Sequence, residues 1–269
     1  MALLKLRGVH KGFLTPKGPH PVLRGIDLVV EEREFVCVLG YSGSGKTTLL
    51  SLIAGLMEPD AGEILLEGRP IQGPGPDRGI VFQNYSLLPW MTVLENVHLA
   101  VEAVGPQRPT AERVARSEHL IRLVNLWDAR HKRPHELSGG MRQRVAVARG
   151  LAMDPKVLLL DEPFSALDAL TRATLQSELA RIWMEDRKTV LMITNDVEEA
   201  ILLADRVLPL TPGPGARLGP EIPIRIARPR LPRHVNRDPE YHRIRQAIAD
   251  FLVTQRGGNG GPPQALKAA

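Results

Sequence analysis

The chain of 269 residues holds one cysteine, Cys37, so no disulfide can close within it, which fits a reducing compartment. Aromatic residues make up only 4%, and the core must therefore be filled by Leu, Val, Ile and Ala. No run approaches the ~20 apolar residues of a membrane-spanning helix. The opening MALLKLRGVHKGFL turns charged after four residues, too early for a secretory signal. A chain of this kind works at a membrane only by docking to one. What remains, 43% hydrophobic and 24% charged, is ordinary for a globular protein of one large domain or two lobes.

Charge is uneven. The net value is +5 and the sequence pI about 9.6, and RIARPRLPRHVNRDPEYHRIRQ is more basic than the rest. Such a stretch reads either as a patch for nucleic-acid or lipid phosphates or as a solvated tail and docking arm. Its scattered prolines and lack of stacking aromatics favour the second reading.

Residues 3 to 9 alternate weakly, as an edge strand does, and KGPHP reads as a turn. VLRGIDLVVEEREFVCVLG gives two short strands, of which FVCVLG is apolar throughout, the pattern of a strand covered on both faces. A helix pattern starts at Lys46 and breaks at EPDAGE; EILLEGRPI and GIVFQ are strands. VLENVHLAVEAV, TAERVARSEHLIRLVNLW and MRQRVAVARGLAM carry helical spacing. KVLLLDEP and KTVLMITN return to buried strands around the long amphipathic helix LDALTRATLQSELARIWMED. The pattern is α/β, with parallel central strands and a helical insert. Beyond Leu210 the chain is turn-rich, and RGGNGGPPQALKAA has the composition of a disordered end.

Three motifs carry chemistry. GYSGSGKT (Gly40, Tyr41, Ser42, Gly43, Ser44, Gly45, Lys46, Thr47) follows an apolar strand and opens a helix, the context of a phosphate-binding loop. Glycines let successive N–H groups face phosphate oxygens, the helix terminus adds positive potential, Lys46 reaches the β- and γ-phosphates and Thr47 binds Mg²⁺. Thr48 adds a further phosphate contact. At the end of KVLLLDEP, Asp161 is suited to hold Mg²⁺ through water and Glu162 to polarise the attacking water as general base. LSGGMRQR sets Ser138, Gly139 and Gly140 before a helix, which is either a plain cap or a second anion cradle serving a neighbouring chain's nucleotide.

In combination these motifs resemble the nucleotide-binding subunit of an ABC transporter. GYSGSGKT matches its Walker A motif, VLLLDE its Walker B, LSGGMRQ its signature, VFQN its Q-loop with Gln83, and SALD its D-loop, Ser165 to Asp168. The resemblance spans roughly residues 3 to 210 and implies a P-loop NTPase fold of the ABC ATPase type, with a RecA-like core, an antiparallel β subdomain and a helical subdomain. Residues 1–85 and 151–210 would form the ATP-binding core with the β subdomain, 86–150 the helical subdomain, and 211–269 a basic, Pro/Gly-rich, partly disordered tail. It further implies a head-to-tail dimer holding two ATP molecules, with Asp168 among the nucleotide contacts, Gln83 assisting Mg²⁺ and catalysis, and Phe13 stacking on adenine. GPGPDRGIVFQNYSLLPWMTVLENV is similar to importer ATPases for nitrate, bicarbonate, sulfonate and taurine, with the nitrate/nitrite branch most alike. The expected partners are membrane permease subunits docking near Leu88, Pro89, Trp90 and Met91, a second ATPase subunit, and a solute-binding protein, at the cytoplasmic face of the membrane. No nucleic-acid partner is expected, since tandem cassettes, coiled coils and zinc modules are missing.

One position departs from the family pattern. MITNDVEEA has Asn195 where the family carries a histidine that reaches the γ-phosphate. An asparagine amide donates a hydrogen bond but is shorter and carries no charge. Three readings fit: a weak site paired with a histidine-bearing second subunit, an adequate site in which Glu162 carries the chemistry, or a nucleotide switch with little turnover. The intact Glu162 argues against the third.

Overall fold

In the computed structural model, which describes residues 2–257, the apolar stretch FVCVL forms β3 (Phe35–Leu39) and every residue of it is buried. Covered on both faces, it lies between parallel neighbours, as such a strand should. β8 (Thr189–Thr194) pairs on one side with Leu39 opposite Thr194, and β9 (Arg206–Pro209) on the other, with β10 (Ile222–Pro223) antiparallel to β9. The loop after β3 opens α1 (Lys46–Ile53), as predicted.

A second sheet is antiparallel, in the order β2 (Gly18–Glu31), β1 (Ala2–Thr15), β4 (Ala61–Leu66) and β5 (Arg69–Pro70). β1 is twice the length the alternation suggests. Register shifts recur along its pairing with β2, between Leu6 and Val9, Val9 and Lys11, and Lys11 and Gly12, and each shift breaks the two-residue period. The turn is Pro16–Lys17, because Gly18 to Pro21, read from sequence as part of a turn, pair with Thr15 back to Gly12.

The chain divides into two compact units, Met1–Pro74 with Thr189–Ala269, and Gly75–Lys188. The second contains the parallel pair β6 (Arg78–Val81) and β7 (Val157–Asp161), and the helices α2 (Val93–Val104), α3 (Thr110–Leu123), α4 (Gly139–Ala152) and α5 (Ala169–Asp186). These boundaries differ from the 86–150 insert read from helical spacing.

The stretch after 211 is far more structured than a tail. After α6 (Val197–Leu203) and β9 come β10, the short α7 (Pro232–Val235) and α8 (Pro239–Gly257). Ile222, Ile224, Ile226, Tyr241, Ile244 and Ile248 are buried, the last three at helical spacing. Prolines and arginines hid this apolar stripe. The Gly/Pro-rich residues 258–269 lie outside the described part. Among the described residues, no helix is long and apolar enough to cross a membrane.

Candidate functional site

In the first unit, the phosphate loop hangs from the end of β3. The Gly40 N–H donates to the Thr194 carbonyl at 3.2 Å, which joins the start of the loop to the end of β8. Asn195, the next residue, is exposed. Parallel pairing of β3 with β8 thus brings GYSGSGKT and Asn195 together at the carboxyl ends of two neighbouring strands. Gly45, which caps α1, has φ 96°, and a Cβ there would lie 2.8 Å from Val22 Cγ1, so only glycine fits. Lys46 is buried at 3% exposure, and its Nζ donates to the carbonyls of Gly40 at 3.0 Å and Tyr41 at 2.9 Å. The ammonium is therefore held over its own loop, next to the first N–H groups of α1, which have no partner within the helix. Thr47 is exposed and Thr48 half-buried, while the Ser44 hydroxyl is buried with no protein partner. A buried cation, a helix N-terminus and glycine-lined backbone suit an anion with several oxygens.

Val22 and Leu23 touch the loop at Gly45. Leu23 also lines an open pocket of about 520 Å³ with His10, Phe13, His20, Arg24 and Asp60. Phe13, 41% exposed, pairs with His20 across β1–β2, and Lys11 Nζ lies 5.9 Å from its ring centroid. An exposed ring beside a phosphate loop has a face to offer a base.

In the second unit, β6 and β7 run parallel with Val81 opposite Leu160. Gln83 follows β6, and Asp161 ends β7 almost buried. Gln83 Nε2 donates to Ser165 Oγ at 3.1 Å, and Ser165 Oγ donates to the Glu162 carbonyl at 3.0 Å. Glu162 has φ 43°, a conformation a non-glycine residue holds only under strain, and such strain gathers where geometry matters to function.

The signature residues start α4. Ser138 Oγ accepts from the Met141 N–H at 3.2 Å as a helix cap. A Cβ at Gly140 would lie 2.5 Å from Thr171 Cγ2, so the glycine at 140 admits α5 against α4. Asp168, assigned by resemblance to nucleotide contact, caps α5 by accepting from the N–H groups of Leu170 and Thr171. The hydrogen bond with Thr171 lowers its pKa first.

The segment after Gln83 is shaped by a residue that sequence reasoning passed over. Asn96, 1% exposed inside α2, accepts from the Leu88 N–H and donates to the carbonyls of Leu88, Met91 and Thr92. Its signal was a lone amide on the apolar face of VLENVHLAVEAV. Tyr85 and Ser86 have φ 63° and 48°, and Arg149 Nη1 donates to the Ser86 carbonyl at 2.5 Å. On this rigid frame Trp90 stands 66% exposed and Pro89 is exposed, with Leu88 and Met91 half-buried.

The model of the family described as ABC transporter matches residues 23–165, more than half of the chain. The chain belongs to that family. Its fold is accordingly the P-loop NTPase fold of an ABC cassette, and it is an ATP-binding, ATP-hydrolysing subunit. It is 52% identical to the nitrate import ATP-binding protein NrtD of Synechococcus elongatus, over 91% of this chain and 89% of that protein. It is 50% identical to the bicarbonate transport ATP-binding protein CmpD of the same organism, over 94% and 91%. Among solved structures, the ATP-binding cassette MJ0796, a dimer in a post-hydrolysis state with ADP and Pi, superimposes with a TM-score of 0.74 at 32% identity, covering 84% of this chain and 100% of that one.

Proposed function

We propose that this ABC subunit energises the import of a small anion, nitrate or nitrite first, with bicarbonate, sulfonate and taurine as the alternatives. The observation that carries the reading is likeness over about nine-tenths of both chains to a nitrate and a bicarbonate import subunit. Permease subunits dock on the Leu88–Met91 surface, where Trp90 offers an exposed apolar anchor on a backbone fixed by Asn96. The chain sits peripherally at the cytoplasmic face of the membrane, with a solute-binding protein in the same complex.

In the catalytic reading, Lys46 turns from its loop carbonyls to the β- and γ-phosphates, the loop N–H groups take the remaining oxygens, and Phe13 stacks on adenine. By the family resemblance, Thr47, Asp161 and Gln83, each with a side-chain oxygen, are the residues that would hold Mg²⁺, a hard cation that would neutralise charge on the phosphates. Glu162 accepts the proton of the attacking water, and Asn195 donates its amide hydrogen to the γ-phosphate side. Ser138, Gly139, Gly140 and Asp168 face the nucleotide of a second cassette chain.

An uncharged, shorter donor at 195 weakens the transition state by ~2–4 kcal/mol, the scale of a lost oxyanion donor. The reading favoured is a pair of unlike cassettes in which the partner subunit carries the histidine. Phosphate release by the purified chain, with Asn195→His and Glu162→Gln beside it, tests this. A near-background wild type that gains rate with Asn195→His, and loses the gain on adding Glu162→Gln, supports it. A wild type that turns over well and ignores Asn195→His overturns the unlike pair and leaves a competent homodimer.

A further inference from the structure

α6 is too short to hold itself. A helix of two turns is marginal on its own, and its last carbonyls need donors from elsewhere. In this chain the donors come from the stretch that composition presents as a tail. Arg230, 6% exposed, sends Nη1 to the carbonyls of Ile201 at 2.9 Å and Ala204 at 2.5 Å. The same guanidinium is fixed from behind, with Nε on the Ile226 carbonyl at 2.9 Å and Nη2 on the Ile224 carbonyl at 3.2 Å. Arg228 adds Nη2 to the Leu203 carbonyl at 2.5 Å and to Asp205 Oδ1 at 2.8 Å. Two cations thus close the negative end of α6. α8 packs along the same helix, with its buried Tyr241 close to the Glu198 carboxylate.

The other end of α6 leads to the phosphate loop. Asp196 caps the helix by accepting from the N–H groups of Glu198 at 2.8 Å and Glu199 at 3.2 Å. Thr194 Oγ1 donates to the buried Glu199 at 2.7 Å and accepts from the Asp196 N–H at 3.1 Å. The Thr194 carbonyl, in turn, accepts from the Gly40 N–H at 3.2 Å. A continuous path of hydrogen bonds therefore runs from Arg230 through α6 and Thr194 to the first residue of the loop, with Asn195 at its bend.

We infer that Arg230 is a positioning residue for hydrolysis: by clamping the carbonyl end of α6 it fixes the Thr194–Asp196 turn against the phosphate loop. The inference rests on the proposed part of that turn in turnover and does not touch nucleotide affinity, which the loop and Phe13 supply. Burial first, and the charge of Arg228 second, lower the Arg230 pKa to about 10, so the clamp stays cationic at neutral pH. Lysine cannot replace it, because one ammonium on a flexible stem cannot span four carbonyls lying on both sides of a planar fork.

The test is single-turnover phosphate release by the full-length chain on an Asn195→His background, where release stands clear of background, carrying Arg230→Lys, Thr194→Val, or both. ATP affinity and amide hydrogen exchange are read in parallel, with the surface change Arg243→Lys on α8 as control. Arg230→Lys should slow release by roughly ten- to hundredfold, since small displacements of a catalytic turn are costly. ATP affinity should be unchanged, and exchange should quicken across 197–203 but not across 46–53. The double variant should be no slower than the slower single one, because both act on one path. An unchanged rate, an ATP affinity that falls in step with the rate, or losses that multiply would overturn the inference. Asn195→Ala alone separates it from the reading beneath: a silent Asn195→Ala removes the role given to that amide, while Arg230 is still judged by the Thr194 pairing.

Discussion

Gly45 is the residue where sequence, geometry and chemistry meet most tightly. Its φ of 96° and the 2.8 Å approach to Val22 leave no room for a side chain. Gly45→Ala should destabilise the chain by roughly 1–3 kcal/mol, the range for a residue forced into a sparsely populated backbone region. Thermal unfolding reads that loss, and ATP titration should show weaker binding, since the strain falls on the loop itself. Asp154 gives a pH prediction. Its hydrogen bond with Lys188 lowers its pKa from the ordinary 3.8, with Arg116 and Arg108 adding to the effect. A carboxylate with a depressed folded pKa stabilises fully above the unfolded value and stops doing so as pH falls through the folded one. Asp154→Asn should therefore lower the unfolding temperature at neutral pH, and the difference should shrink as the pH is taken down through the folded pKa. The phosphate-loop residues were legible because their chemistry is written in consecutive positions. Asn96 and Arg230 were not: the carbonyls that Arg230 binds at α6 lie 26 and 29 residues away, and nothing in the local pattern announces them.

At the scale of elements, α2 shows how a short signal fixes a boundary. Thr92 accepts from the Glu95 N–H at 3.2 Å and Glu95 accepts from the Thr92 N–H at 2.7 Å, a reciprocal capping box. Thr92→Ala should cost about 1 kcal/mol, read by denaturant unfolding, and should loosen the Trp90 segment that this cap terminates. The central strands were readable from apolar runs, because burial on both faces leaves no alternation to misread. β1 was only half readable, since register shifts with β2 interrupt its period. α8 was missed for another reason. Tyr241, Ile244 and Ile248 form a narrow apolar seam, and the arginines around it dominate the composition.

At the scale of the whole molecule, the family resemblance implies that two cassettes close on ATP, and the MJ0796 cassette is itself a dimer, in a post-hydrolysis state with ADP and Pi. Glu162→Gln, which should stop hydrolysis while sparing binding, gives a direct reading: if the chain pairs with itself, light scattering moves from the 29.7 kDa of one chain to twice that mass when ATP is added. A chain that stays monomeric alone, but pairs with a histidine-bearing cassette, would favour the unlike pair.

The two compact units have a consequence for how the protein is made. β3 is synthesised early, yet both of its parallel neighbours, Thr189–Thr194 and Arg206–Pro209, arrive some 150 residues later. Until those strands leave the ribosome, the loop at Gly40 has no Thr194 carbonyl to anchor it, and both hydrogen-bonding edges of an all-apolar strand stay unpaired. Gly75–Lys188 emerges entire in that interval and can fold first. The nucleotide site is thus among the last parts of the nascent chain to take shape, and a chain cut short just after residue 188 holds an entire second unit and a β3 with neither parallel neighbour.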